Sequence, residues 1–202
     1  MPNKFDDAYE NEWEDEAFEQ FAPSEPAEQR TRAPATLSTN ELRQRIMHRA
    51  VSYLSRREHG QTELKRKLMF AFAEQPFTPN EQFEHLEALI DYVLAHLAQN
   101  NWQSDARFAA QIGKVKGERY GAARIKHTLN QQGLSKELID ETVAELAQSE
   151  LQRAHAVWQK KFGAAPGNAS EYAKQSRFLA YRGFSFDVIK KVIQGKDLDL
   201  DE

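Results

Sequence analysis

Cysteine is absent from all 202 residues. That excludes disulfides and thiolate metal sites, and it suits a reducing compartment. Long apolar runs are absent as well, and none approaches the roughly 20 residues that span a bilayer. The opening stretch, Met1-Pro2-Asn3-Lys4-Phe5-Asp6-Asp7, has no apolar signal core and turns acidic at once. A cytoplasmic protein with no membrane association is therefore expected. Gly-rich phosphate loops and G-x-S-x-G elbows are missing, which disfavours a nucleotide-hydrolysing engine or an α/β-hydrolase. His48, His59, His85, His96, His127 and His155 are scattered, with no pair at the spacing of a helical zinc site. Acidic clusters are sparse in the central region, so a two-metal nuclease centre has no candidate. Together these gaps favour a binding protein over an enzyme, with no cofactor and no metal.

Charge, by contrast, is abundant and unevenly divided. Residues 1–30 carry ten acids against Lys4 and Arg30, a net of −8. Residues 195–202 carry four acids against Lys196, a net of −3. Residues 31–194 hold 24 bases and 17 acids, a net of +7. The overall net of −4 thus conceals a basic body between acidic ends. A basic body points to a polyanionic or acidic partner.

Residues 1–38 lack a folded pattern. Pro23, Pro26 and Pro34 break the second half, and the first half is too charged to bury a core. A disordered acidic extension is expected there. Phe5, Tyr9, Trp13, Ala17 and Phe21 recur every fourth residue and would align on one face of a transient helix. Order should begin near Ser38, because Ser38-x-x-Glu41 has the form of a capping box. From there the apolar spacing is helical. Leu42, Ile46, Ala50 and Leu54 share one face, Leu64 and Leu68 anchor a second helix, and Leu86 to Leu97 supply a third after Pro76 and Pro79. No alternating strand pattern is found.

The pattern then repeats. An offset of 61 sets Gly60 on Gly121, Leu64 on Ile125, Leu68 on Leu129, Met47 on Phe108, Val51 on Ile112 and Leu54 on Val115. An offset of 50 sets Gly133 on Gly183, Ser135 on Ser185, Ile139 on Ile189 and Phe108 on Trp158. Gly133 and Gly183 suit the left-handed residue that ends a helix, and the two serines suit the N-cap of the next. The predicted fold is all-α: three tandem three-helix repeats over 39–101, 102–148 and 149–195. They would stack into an elongated curved body between the extension 1–38 and an acidic tail 196–202.

The bases that could meet a polyanion are distributed over all three repeats. Arg56, Arg57, Lys65, Arg66 and Lys67 lie in the first. Arg107, Lys114, Lys116, Arg119, Arg124 and Lys126 lie in the second, and Lys160, Lys161, Lys174 and Arg177 in the third. Such residues bind phosphates without reading bases. Helical spacing expects Lys65, Arg66 and Arg124 to face outward, and Lys67 and Lys126 to flank the core. Arg182 shares a face with Phe178 and Leu179 and is expected to bury its stem and pair or cap locally.

Three stretches carry a family resemblance. They are Ala50-Val51-x-Tyr53-Leu54-x-Arg56-Arg57-Glu58-His59 with Glu63-Leu64-x-x-Lys67-Leu68; Asp105-x-Arg107-Phe108-Ala109 with Arg119-Tyr120-Gly121-x-x-Arg124-Ile125; and Arg177-Phe178-Leu179-x-Tyr181-Arg182-Gly183-Phe184. In order and spacing, from about residue 40 to 194, the chain resembles the RecX family. Ala122 stands where the family often has Pro, and Ser104-Asp105 where it often has Asp-Asp. The resemblance implies a monomeric regulator that binds the RecA recombinase and its DNA filament. It implies restraint of strand exchange, ATP hydrolysis and coprotease activity, with the bases above meeting RecA or DNA phosphates. A stand-alone helical DNA-binding or architectural protein is the alternative.

Overall fold

A computed structural model describes residues 35–195. Two very short strands and nine helices occur among them. The helices are α1 (Thr39–Leu54), α2 (Gln61–Phe72), α3 (Leu86–Gln99), α4 (Asp105–Gly117), α5 (Ala122–Gln131), α6 (Lys136–Ala147), α7 (Glu150–Lys161), α8 (Ala169–Tyr181) and α9 (Phe186–Gln194). Helices pack in consecutive threes: α1–α3, α4–α6 and α7–α9.

Each triplet has its own core. Leu42, Ile46, Leu64, Leu68, Leu89 and Leu97 close the first. Phe108, Ile125, Leu129 and Ile139 close the second. Ala154, Trp158, Leu179 and Ile189 close the third. The apolar stripes read from the sequence therefore turn inward within a repeat. The three cores remain separate clusters, and the repeats meet through loops, glycines and polar groups.

Capping follows the sequence closely. Ser38 accepts from the Glu41 N–H while Glu41 accepts from the Ser38 N–H, the reciprocal capping box. Ser104 and Ser135 cap α4 and α6 through their hydroxyls. Ser185 differs: it holds the N-cap position of α9, but its hydroxyl donates to Glu150 instead. Gly133 and Gly183 adopt φ of +72° and +82°, the left-handed turn expected after a helix.

Three expectations need correction. A strand pair exists: Leu37–Ser38 (β1) runs parallel to Phe77–Thr78 (β2), with Leu37 buried. Two residues are too few to leave an alternating pattern in a sequence. Leu37 and Ser38, grouped above with the extension, thus pack with the first repeat, and residues 1–34, with the stripe from Phe5 to Phe21, lie outside the described residues. Second, the offset of 61 holds for α2 and α5 but not for the helices before them, since Val51 and Val115 are exposed. The buried sets Ile46, Ala50 and Ala109, Gly113 instead match at 63. The cause is loop length: α1 and α2 are joined by residues 55–60, whereas α4 and α5 are joined by 118–121, two fewer. Third, Arg182 does bury part of its stem and packs on Phe178, but its guanidinium also reaches beyond its own repeat, to the Arg119 carbonyl and the Tyr120 ring.

Candidate functional site

The polar chemistry concentrates at the two joints between repeats. At each joint, the start of one repeat's second helix meets the next repeat. In the first joint, Gln61 N–H donates to Asp105 (2.8 Å) and Gln103 donates to the carbonyl of His59 (3.1 Å). Arg107 pairs with Glu58 across the same joint. Gly60 backs onto the Phe108 ring, and Gly133 lies against the side chain of Thr62.

Glu63 is the buried acid of this region. Arg57 grips it through two hydrogen bonds, and Lys67 stands 3.4 Å away. His59 Nδ1 lies 3.1 Å from it without hydrogen-bonding alignment. Burial pushes the Glu63 carboxyl up, but His59 and Arg57 outweigh that and hold it down at about 2. A depressed carboxyl stabilises the fold above its unfolded value of about 4.5. That contribution is lost as pH falls toward 2. Glu63→Gln should therefore remove up to roughly 2 kcal/mol of the stability lost between pH 6 and pH 3. Urea titrations at both pH values check this, and equal acid sensitivity in both proteins would refute it.

The second joint is built from main chain and cations. Gly121 N–H donates to the Arg182 carbonyl (2.8 Å), and Ala123 N–H donates to that of Gly183. Ala122 N–H donates to Glu150, which also accepts from Ser185. Arg153 donates to the carbonyls of Gly117, Tyr120 and Leu146, each at 2.8 Å. Arg182 donates to the Arg119 carbonyl and packs over the Phe178 ring. Arg124 donates to the Tyr181 carbonyl and lies over two rings, Tyr120 at 4.8 Å and Tyr181 at 5.1 Å.

The predicted bases fall into distinct settings. Arg57, Lys65, Lys67, Arg107 and Lys126 are in ion pairs, with Glu63, Glu87 and Asp91, Glu63, Glu58 and Asp140 respectively. The two carboxylates hold the Lys65 ammonium above its ordinary value. Arg56 and Arg119 are exposed loop residues with contacts of their own. Arg66, Lys114, Lys160, Lys161 and Lys174 are exposed, and Arg177 is exposed with an intrahelical bond to Ala173. Lys116 and Arg124 are half-buried. Arg124 and Lys126 thus reverse their expected positions: Arg124 is drawn between tyrosines, while Lys126 swings out to Asp140. The structure brings Arg57 and Lys67 together on Glu63, and Lys116 and Arg124 together at the second joint, with the Tyr120 and Tyr181 rings against Arg124. Glu150 and Arg153 were missed by the sequence reading. Nothing in local spacing marks them, since their partners lie about 30 residues away.

Among the described residues no three His, Asp or Glu side chains stand where they could hold a metal ion. No helix among them is long and apolar enough to cross a membrane.

Comparison with known proteins agrees with this architecture. Residues 148–193 match the family model described as "RecX, third three-helix domain". The Regulatory protein RecX of Ralstonia nicotianae is 41% identical over 155 residues, covering 76% of this chain and 89% of the relative. That of Chromobacterium violaceum is 42% identical over 147 residues, covering 73% and 88%. The crystal structure of RecX from Lactobacillus salivarius is similar in fold, with a TM-score of 0.62 at 16% identity, over 79% of this chain and 99% of that one. With identity of this level over most of both sequences, and the same repeat fold, the chain belongs to the RecX family of regulatory proteins.

Proposed function

We propose that this protein acts as a monomer that binds the RecA recombinase and its DNA filament. Bound there, it restrains recombinase, ATPase and coprotease activities. It works by binding rather than by catalysis. The observation that carries this reading is family membership: relatives over 40% identical are regulatory RecX proteins. The basic surface of the repeats supports it, because a filament offers both protein and phosphate to a tandem array.

The test is DNA-dependent ATP hydrolysis by RecA, with this protein added well below one copy per recombinase subunit. Hydrolysis is expected to fall. Unchanged hydrolysis at every ratio would overturn the proposal.

A second reading is a stand-alone DNA-binding protein. The neighbouring cations Lys116 and Arg124 at the second joint favour it. It requires affinity for bare DNA that falls steeply with salt and is indifferent to RecA. A pull-down on single-stranded DNA, with and without RecA, separates the two.

A further inference from the structure

The two joints differ in charge at one equivalent position. In the first, that position is Glu63, an acid among Arg57, His59 and Lys67. An offset of 61 puts Arg124 there in the second joint, so the acid is replaced by a base. Close to Arg124 stands Lys116, half-buried in α4. Among the described residues Lys116 makes no ion pair and no hydrogen bond. Burial and the neighbouring Arg124 charge both push its ammonium below the ordinary value. Two neighbouring cations, partly withdrawn from water and without a counter-ion among the described residues, are unfavourable as a structural element. The acid that enters this joint, Glu150, is committed to the Ala122 N–H and the Ser185 hydroxyl.

The surroundings narrow the ligand. The N–H groups of Gly121, Ala122 and Ala123 are taken, by Arg182, Glu150 and Gly183, which leaves side chains to supply most of an anion's contacts. Arg124 donates one N–H to Tyr181, and a guanidinium has five. Tyr181 is 56% exposed although its ring lies beside Arg124. A cationic pair next to an exposed aromatic ring is the composition that holds a phosphate and stacks the attached base. An acidic peptide would use the cations and leave the ring idle.

We infer that the joint between the second and third repeats is a binding site for a nucleotide unit of single-stranded nucleic acid, with the phosphate on Lys116 and Arg124 and the base on Tyr181. Because Lys116 and Arg124 belong to one repeat and Tyr181 to the next, occupancy also fastens the two repeats together. The inference rests on the DNA-contacting part of the proposed function. Its test omits RecA, so a failed ATPase experiment and a failed site are told apart.

The experiment uses the full chain, with a short thymidine oligonucleotide, an abasic chain of equal length and inorganic phosphate as probes. The unmodified oligonucleotide is expected to bind about tenfold tighter than the abasic chain. Lys116→Gln should weaken oligonucleotide binding several-fold and lower the salt slope by about one. It should leave thermal stability unchanged or raised, because it removes an uncompensated cation. Tyr181→Phe should keep the preference for bases, and Tyr181→Ala should abolish it. Unchanged affinity and slope in Lys116→Gln would overturn the site. So would equal binding of normal and abasic chains, or competition by phosphate as effective as by the oligonucleotide. Should Tyr181→Ala unfold, Lys116→Gln and the abasic comparison still decide.

Discussion

Gly121→Ala is expected to destabilise the protein by at least about 3 kcal/mol, whereas Gly60→Ala should cost about 1 kcal/mol or less. The two glycines occupy the same repeat position, the N-cap of a second helix, and both have ordinary extended backbone, with φ of −77° and −66°. Conformational freedom therefore does not distinguish them. What differs is the neighbour. A methyl on Gly121 would overlap the carbonyl of Gly183 and the N–H of Phe184, both main chain. Main chain cannot rotate away, so the joint must open. Opening it breaks the Gly121–Arg182 and Ala123–Gly183 hydrogen bonds. Those groups would then be partly buried without partners. A methyl on Gly60 would meet the edge of the Phe108 ring at 3.0 Å, and a ring can tilt by a few tenths of an ångström. Chemical denaturation of both variants checks the contrast. Equal losses would mean that the second joint is softer than its main-chain packing indicates.

Gly183 makes the same point from the other side. Its φ of +82° already disfavours a side chain, and a methyl there would also lie 2.6 Å from the Arg124 nitrogen. The positive φ was legible in the sequence, because a glycine followed by serine between two apolar stripes reads as a helix end and a helix start. The close approach was not legible, because it depends on Gly121, which lies 62 positions away.

That division runs through the whole molecule. Repeat number, helix faces and most caps could be read locally, because burial recurs with helical period and caps act over three residues. Leu64 and Leu68, or Ile125 and Leu129, need no knowledge of their neighbours to be placed inward. The alignment slip in α1 arose from two extra loop residues, a change that leaves the helix period intact and shifts only the match. The binding bases were the least legible. Lys65 and Lys126 were sound choices by spacing, yet they pair with Asp91 and Asp140, on the next helix of their own repeats. Lys116 stands out only because, among the described residues, the fold half-buries it beside Arg124 without an ion pair, and that is a property of tertiary structure.

Arg153 is the second position where a large effect is expected. No motif marks it, yet it is the polar centre of the second joint. From α7 it reaches back to carbonyls at the C-terminal ends of α4 (Gly117) and α6 (Leu146), and to Tyr120 in the loop after α4. The last carbonyls of a helix have no intrahelical donor and carry the negative end of its dipole, so a cation placed there satisfies both needs. Removing the guanidinium leaves the Gly117 and Tyr120 carbonyls in a half-buried place without their donor, and Leu146 with only the N–H groups of its own helix end. Arg153→Ala is expected to cost about 2–4 kcal/mol. Arg153→Lys should recover only part of it, because one ammonium cannot span three acceptors held by a planar fork. The loss should also be local. Because the three cores are separate, amide hydrogen exchange in Arg153→Ala should accelerate in α7–α9 and in the ends of α4 and α6. The core of α1–α3 should keep its protection. Uniform acceleration across all nine helices would instead show that the repeats unfold as one unit, and that the polar joints transmit stability as strongly as a shared apolar core.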